Sequence, residues 1–220
     1  MSRWLILALL WSTSLFAAET KPNILFVLSD DHSSAHVGCY GNPDIKTPNL
    51  DQFAKEGMRF QRYYVCCPQC VPSRASMMTG RSPIDIDMSR FSAPLGKEYQ
   101  IYPEILKEKA GYYAGVAGRT FHLEGAGTTA ESRAAFAKYE LQTVAKRLDY
   151  AKIAGKREDM LGQYREFLDA VPKGKPFVLQ LCFSDPHRPL DKNAIPEPHD
   201  PTKLKLPAHY PDTKLIREDF

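Results

Sequence analysis

The sequence lacks the features of a nucleic-acid-binding, repeat or membrane-spanning protein. Lysine and arginine number 29 against 26 aspartates and glutamates, which gives a net charge of only +3. No basic run of five or more residues occurs, so nothing indicates a nucleic-acid partner. No internal repeat or low-complexity segment is present, and after the N-terminus no segment is apolar enough to cross a bilayer. We therefore predict no nucleic-acid partner and no stable membrane insertion.

The composition is that of a globular protein, with an export signal in front. Hydrophobic residues make up 43% and charged residues 25% of the 220 positions, as expected for one or two folded domains. Arg3 is followed by an apolar core over residues 4–11 and by the small pair Ala17 and Ala18, the pattern of a secretory signal peptide. A retained N-terminal anchor is the alternative. We predict a signal peptide at 1–18, a folded region at 19–220, and export to the periplasm or the exterior.

Cysteine is scarce, and its number is odd. The five cysteines are Cys39, Cys66, Cys67, Cys70 and Cys182. An odd number indicates one reactive cysteine, with the others free or paired. Cys67 and Cys70 form a Cys-x-x-Cys pair, so a redox motif and a zinc site are alternatives to a catalytic Cys70. Neither a second such pair nor a spaced histidine pair supports zinc, and no thioredoxin-like sequence surrounds the pair.

The most informative stretch is CVPSRASMMTGR at residues 70–81. Pro72 suits the first turn of a helix, which would place Cys70 just before the helix N-terminus. The free N–H groups and positive dipole end found there bind anions and lower the pKa of a thiol. Arg74 lies about one turn further on and can direct its guanidinium to the same anion. The alternative is a buried structural cysteine beside a helix start.

Two carboxylates follow the first predicted strand. The apolar run Ile24–Leu28 is typical of a strand that is covered on both faces of a parallel sheet. Asp30 and Asp31 would then lie at the carboxyl end of that strand, where open α/β sheets bind ligands. Adjacent carboxylates repel each other, and hard oxygen ligands favour Ca²⁺ or Mg²⁺, so a cation between them is predicted. A solvated turn is the alternative.

Two histidines follow later predicted strands. Residues 112–117 precede Arg119 and His122, and the apolar run 177–183 leads to His187 between two prolines. The carboxyl ends of parallel strands lie at one edge of a sheet, so these side chains would meet the two aspartates and Cys70 there. A surface or capping histidine is the alternative at each position.

Strand and helix signals alternate along the chain. This alternation predicts an α/β fold with a mainly parallel central sheet flanked by helices. Helices are expected at 48–56 and 102–110, each stopped by a glycine, and residues 58–65 could form a strand leading to Cys70. Residues 131–169 are expected to be rich in helix, with breaks near Gly155 and Gly162. The proline-rich tail from residue 186 is expected to be an extended surface loop.

These segments together resemble the sulfatase family over residues 21–220. The stretch from Cys70 resembles the family motif Cys-x-Pro-Ser-Arg followed by Thr-Gly-Arg, and the run ending at Asp31 resembles Pro-Asn-Ile-(apolar)-Asp-Asp. The segments ending at His122 and at His187 resemble two further family segments. Arg119 stands where the family usually has lysine, which keeps the charge but cannot act as a titrating amine. The resemblance implies an alkaline-phosphatase-like fold.

The branch within the family is less sharply indicated. The stretch DPHRP at residues 185–189 and the segment 206–220 are most similar to the heparan N-sulfatase (N-sulfoglucosamine sulfohydrolase) branch. The pair Phe121 and His122 is instead similar to the iduronate sulfatase branch. Either branch implies a sulfated carbohydrate, or another sulfate ester or sulfamate, as the substrate.

The resemblance also implies site roles. It implies that a maturation enzyme oxidises Cys70 to formylglycine, and that Ca²⁺, or Mg²⁺, binds Asp30, Asp31 and residue 70. It implies that four further side chains handle the sulfate, with His187 as general acid: Arg74, Arg119, His122 and His187.

Family members are usually much longer than this chain. Residues 19–220 are therefore expected to be the N-terminal part of a sulfatase catalytic domain, with further metal ligands beyond Phe220 and little or no activity alone. A phosphoryl or phosphonate hydrolase of the same superfamily and a non-catalytic secreted binding domain are the alternative functions.

Overall fold

A single parallel sheet forms the centre of the protein. The computed structural model describes residues 20–91, 93–119, 122–125, 129–153, 159–189 and 200–219. The predicted signal peptide therefore lies outside the described residues. The four strands are β1 (Ile24–Leu28), β2 (Tyr113–Gly118), β3 (Tyr150–Ile153) and β4 (Phe177–Cys182), in the order β1-β4-β2-β3. All three pairings are parallel, so the predicted fold class is confirmed.

Helices connect and flank the strands. They are α1 (Pro48–Glu56), α2 (Cys70–Thr79), α3 (Tyr102–Ala110), α4 (Ala130–Lys138), α5 (Val144–Arg147), α6 (Asp159–Ala170) and α7 (Lys214–Asp219). Gly80 and Gly111 end α2 and α3 with φ angles of 68° and 74°, a conformation that side-chain-bearing residues rarely adopt. None of the helices in the described ranges has the length and apolarity needed to span a bilayer.

The core lies on both faces of the central strands. On one face, Met78 of α2 packs in a cluster with Val116 and Val178. On the other face, Phe167 of α6 packs with Leu179. Strands β2 and β4 are therefore covered on both sides, which explains their continuous apolar sequences.

The expectation that β1 is also covered on both faces is wrong for the described part of the chain. Strand β1 lies at the sheet edge, with Leu25 43% and Val27 58% exposed. An apolar run predicts burial only when an element lies against each face, and sequence alone does not show where the strand lies in the sheet.

Three other local expectations are corrected. Residues 58–65 form no strand, and Met58 and Tyr64 are 81% and 82% exposed, because this segment pairs with no described strand. Strand β3 interrupts the region expected to be rich in helix, and Gly162 lies inside α6 without breaking it. The tail ends in the short helix α7, while Gly155 and residues 190–199 lie outside the described ranges.

Candidate active site

The loops after β1 and β4 lie side by side. Strand pairing continues past the ends of both strands, since the backbone N–H of Phe183 donates to the carbonyl of Leu28 at 2.7 Å. The N–H of Asp30 then donates to the carbonyl of Asp185 at 3.0 Å. These bonds place the two aspartates next to the turn that carries His187, as the strand order predicts.

Asp30 is the buried centre of the site. The residue is 3% exposed, and its Oδ1 atom lies 3.4 Å from Nη2 of Arg74. Its Oδ2 atom pairs with Nη1 of Arg119. Arg74 comes from α2, and Arg119 directly follows β2, where its backbone N–H donates to the carbonyl of Cys182 at 3.0 Å. One buried carboxylate therefore faces two guanidinium groups, which leaves a surplus of positive charge.

The guanidinium of Arg74 has unused donors. Arg74 is 4% exposed, and neither Nη1 nor Nη2 makes a hydrogen bond within the described ranges, although Nη2 lies within ion-pair distance of Asp30. Buried donors without acceptors are costly and rare in folded proteins, so each one calls for an explanation. A bound anion with several oxygen atoms would accept these hydrogen bonds.

His122 is neutral at physiological pH. Nε of Arg119 donates to Nε2 of His122 at 3.2 Å, which requires Nε2 to be the unprotonated nitrogen. Burial, together with the charges of Arg74 and Arg119, lowers the pKa of His122 to about 4. At pH 7 the neutral ring therefore carries its proton on Nδ1 and can donate a hydrogen bond from there, while the Nε2 lone pair accepts from Arg119.

Cys70 begins α2 and is half-buried beside the charged cluster. Burial, and then the negative charge of Asp30, raise the pKa of its thiol. The backbone N–H of Val71, Arg74 and Arg119 act in the opposite direction but do not prevail. The expectation of a lowered thiol pKa is therefore wrong, because it considered the helix N-terminus without the loss of solvent and the nearby carboxylate.

Asp31 and His187 form the outer part of the site. Asp31 adopts a left-handed backbone conformation with φ of 57°, and its side chain is 64% exposed. Its Oδ2 atom lies 3.6 Å from Nε2 of His187. The backbone N–H of His187 donates to the carbonyl of Ser184 at 2.9 Å, which forms the turn that holds the ring near Asp31.

The residues proposed as metal ligands are of the type that a hard cation prefers, but they are too few to complete its coordination. The carboxylates of Asp30 and Asp31 supply oxygen atoms of the type that Ca²⁺ and Mg²⁺ prefer. Across the described ranges, no three or more His, Cys, Asp or Glu side chains form a group that could hold a metal ion. Because Ca²⁺ takes about six to eight oxygen ligands, these two carboxylates provide part of a site. The same finding gives no support to the zinc alternative at Cys67 and Cys70.

A polar chain that the sequence analysis did not identify reaches the site through β4. The hydroxyl of Tyr102 donates to Oε1 of Gln180 at 3.0 Å, and Nε2 of Gln180 donates to the sulfur of Cys182 at 3.3 Å. Cys182 is buried, which raises the pKa of its thiol. The available signal was a single glutamine within the otherwise apolar strand FVLQLC, because a buried polar side chain requires partners.

The parallel α/β sheet thus brings a cysteine, two arginines and two histidines to the loops that hold Asp30 and Asp31, an arrangement suited to binding an anion. The sulfatase family model matches residues 22–207. The chain therefore belongs to the sulfatase family.

Human relatives match part of the chain. Arylsulfatase A from Homo sapiens is 41% identical over 115 residues, which cover 49% of this chain and 22% of that protein. N-acetylgalactosamine-6-sulfatase from Homo sapiens is 40% identical over 119 residues, covering 48% of this chain and 22% of that protein. The matched stretch thus spans less than a quarter of each relative.

Solved structures confirm the alkaline-phosphatase-like fold. BT4656, solved in complex with its substrate D-glucosamine-2-N,6-O-disulfate, has a TM-score of 0.62 at 24% identity over 76% of this chain and 35% of that chain. Phosphonate monoester hydrolase of Agrobacterium radiobacter also has a TM-score of 0.62, at 16% identity over 84% of this chain and 45% of that chain. At these identities the likeness shows the fold alone, and that fold is shared with a phosphonate monoester hydrolase.

Proposed function

We propose that this chain supplies the nucleophile side of the active site of a sulfuric ester or sulfamate hydrolase. The observation that carries the proposal is the buried guanidinium of Arg74, whose terminal nitrogens make no hydrogen bond among the described residues beyond the ion-pair contact of Nη2 with Asp30. That group lies beside Asp30 and near Cys70. A sulfate group has oxygen atoms that match these donors. Membership of the sulfatase family supports sulfate as the anion.

The arginines and histidines take different parts in this proposal. Arg74 and Arg119 bind the sulfate oxygens and stabilise the negative charge that grows on them in the transition state. His122, neutral because of its low pKa, donates a hydrogen bond from Nδ1 to an oxygen atom on the nucleophile side. His187, on the more exposed turn next to Asp31, protonates the leaving group.

Cys70 is a poor nucleophile as it stands. Its raised pKa keeps the thiol protonated at neutral pH, and the neutral thiol is much less reactive than the thiolate. We propose that a formylglycine-generating maturation enzyme oxidises this residue. The hydrated aldehyde of formylglycine supplies two hydroxyl groups on one carbon, one to attack sulfur and one to release the sulfate. A divalent cation, Ca²⁺ or Mg²⁺, held by Asp30, Asp31 and residue 70, would add positive charge beside the sulfate.

The substrate class in this proposal is a sulfated glycan met outside the cytoplasm. The named activity of the human relative N-acetylgalactosamine-6-sulfatase supports a sulfated sugar. Export rests on the predicted signal peptide at residues 1–18. The branch of the family, and with it the choice between O-sulfate and N-sulfate, stays a prediction from the sequence.

The test measures modification, anion binding and turnover on the same protein. The chain is produced with and without a formylglycine-generating enzyme, and the peptide that contains residue 70 is weighed. We expect the loss of one sulfur and two hydrogens and the gain of one oxygen. Inorganic sulfate should raise the thermal midpoint of the wild type more than that of Arg74→Gln, while Lys138→Gln, with the same charge change on an exposed residue, should respond like the wild type.

Turnover distinguishes the proposal from its rival. Little or no activity is expected of the chain alone; with Ca²⁺ present, whatever sulfate the matured protein releases from a sulfated disaccharide should exceed that released by Cys70→Ala. The sulfate-binding measurement does not depend on turnover and is interpreted separately. Equal sulfate responses of wild type and Arg74→Gln would refute the anion site. Hydrolysis of a phosphonate monoester without hydrolysis of the sulfate ester would assign the site to the phosphonate class.

A further inference from the structure

A second basic cleft lies away from the buried arginines. It is an open depression of about 790 Å³ between the loop that follows β1 and helix α1, and its wall includes Lys46, Lys55 and Arg59. Ile45, Pro48 and Ala54 add an apolar surface to the same cleft. Cations beside an apolar surface suit a sulfated sugar, because its sulfate groups are anionic while its ring faces are largely apolar.

The positive charge of the cleft is not cancelled by its own acidic residue. Asp51 is the carboxylate in the wall, set against three cations, so the formal charge is +2. Its Oδ1 atom accepts a hydrogen bond from the Thr47 hydroxyl at 2.9 Å. Gly38 leaves room for this carboxylate, since a Cβ atom at that position would lie 2.7 Å from Oδ2 of Asp51. The Asp51 carboxylate is thus held against the loop by these contacts.

The rim of the cleft is fixed before any ligand binds. Oδ1 of Asn42 accepts hydrogen bonds from the backbone N–H groups of Asp44 and Ile45, both at 2.9 Å. Oδ2 of Asp44 in turn accepts from the N–H of Lys205 at 2.7 Å. Preorganised groups lose little entropy when a ligand binds, so this loop is suited to recognition.

Arg59 is also held in place. Its guanidinium donates to the carbonyl of Cys39 and lies 5.5 Å from the ring centre of Tyr40. A cation near the face of an aromatic ring is attracted to it and loses mobility. The guanidinium therefore presents its remaining donors from a defined position.

A short segment of chain joins the cleft to the reaction site. Gly38, in its wall, follows Asp31 by seven residues, and a fully extended chain spans at most about 3.6 Å per residue, which gives an upper limit of about 25 Å. Two 3₁₀ turns, Ser34–His36 and Gly38–Tyr40, shorten this separation. An oligosaccharide with one sulfate near Arg74 could extend its other units toward the cleft.

We propose that the cleft formed by Lys46, Lys55 and Arg59 is a binding subsite for a remote sulfated unit of the glycan chain. This inference rests on the proposed function for the class of ligand. It adds a site that favours chains of several sulfated units over single sulfated sugars. The scarcity of basic runs elsewhere in the sequence argues against a nucleic-acid partner for the same cleft.

The test compares two double variants with the same change of charge. Binding of a size-defined heparin-derived oligosaccharide to the 220-residue chain is measured by calorimetry for Lys46→Glu/Lys55→Glu and for Lys138→Glu/Lys173→Glu. Because two exposed charge contacts are lost, the cleft variant should bind about tenfold more weakly. The control variant should bind like the wild type, and both should keep the wild-type thermal midpoint and the wild-type response to inorganic sulfate.

The outcomes separate this inference from the proposed function. An equal loss in both double variants would show a general charge effect and overturn the subsite. Unchanged binding in the cleft variant would overturn it as well, and so would a single-stranded nucleic acid that binds the cleft more tightly than the oligosaccharide. Loss of oligosaccharide binding in the cleft variant alone supports the subsite even if Arg74→Gln shows no defect in sulfate binding, a result that would count only against the proposed reaction site.

Discussion

Replacing Asp30 by asparagine removes the counter-charge at the centre of the site. The substitution Asp30→Asn keeps the shape of the side chain but takes away its negative charge. Arg74, 4% exposed, and Arg119, whose side chain is 14% exposed, would then be two guanidinium groups in a poorly solvated place without a carboxylate. Removing one partner of a buried ion pair costs about 3–5 kcal/mol, because the remaining charge is left uncompensated.

A loss of this size is a large part of the total free energy of unfolding. Whole domains are stable by about 5–15 kcal/mol, and for a chain of this size each kcal/mol lowers the thermal midpoint by about 2–4 °C. We expect Asp30→Asn to lower the midpoint by about 6–20 °C. The measurement is urea and thermal unfolding at neutral pH with a chelator present, so that divalent cations do not contribute.

The matched control is Asp219→Asn. Asp219 pairs with Arg188 at an exposed position, where water screens the two charges and the pair contributes little to stability. Inorganic sulfate should restore part of the stability of Asp30→Asn, because an anion can replace the missing carboxylate between the arginines. If Asp30→Asn loses no more stability than Asp219→Asn, then Asp30 does not neutralise the buried arginines, and the electrostatic account of the site is refuted.

Three further predictions follow from single positions. Gly118→Ala should prevent folding, since its Cβ would lie 2.0 Å from a backbone oxygen. Gly174→Ala has a similar positive φ but open space around the added Cβ, so urea unfolding should show a free energy of unfolding lowered by only about 1–2 kcal/mol. Iodoacetamide should label exposed Cys66 in the native protein and buried Cys182 only in urea; equal rates by mass spectrometry would contradict the structure. Because the pKa of His122 is lowered in the folded state, the unfolded state takes up a proton at higher pH than the folded state does. The free energy of unfolding should therefore fall as pH drops from 6.5 to about 4, and it should fall less in His122→Gln. An identical pH profile for the variant would count against this.

The sequence predicted correctly those strands and helices whose ends are determined by nearby residues. Strand Ile24–Leu28 and helix Tyr102–Ala110 have the bounds expected from an apolar run and from a glycine stop. The strand predicted at residues 58–65 does not form, because a strand needs backbone hydrogen-bond partners and this segment pairs with none of the described strands. Its apolar side chains are therefore exposed. Strand β3 was missed because it is a four-residue edge strand within a helical context.

Convergence of the site residues was predictable, whereas their pairing was not. The rule that strand ends share one sheet edge predicted that Asp30, Arg119 and His187 would be neighbours. The rule treated Asp30 and Asp31 alike, yet one is buried between arginines and the other is exposed beside a histidine. That difference depends on the order β1-β4-β2, which brings the end of β2 toward Asp30 and is not encoded in any single segment.

The crowding of positive charge around Asp30 predicts coupling between cation and anion. A divalent cation that binds Asp30 would share one carboxylate with Arg74 and Arg119. Three cationic groups around one carboxylate repel each other, unless an anion binds among them. We therefore expect sulfate to tighten Ca²⁺ binding, and by linkage Ca²⁺ must tighten sulfate binding by the same factor, about 5–150-fold for a typical coupling free energy. Calorimetric titration of each ion in the absence and presence of the other measures both factors, and Asp30→Asn should abolish the coupling. If the affinity for each ion does not depend on the other, the cation does not bind at Asp30. A cation on that carboxylate would compete with Arg74 and Arg119 for it, and so would change how strongly the two arginines attract sulfate.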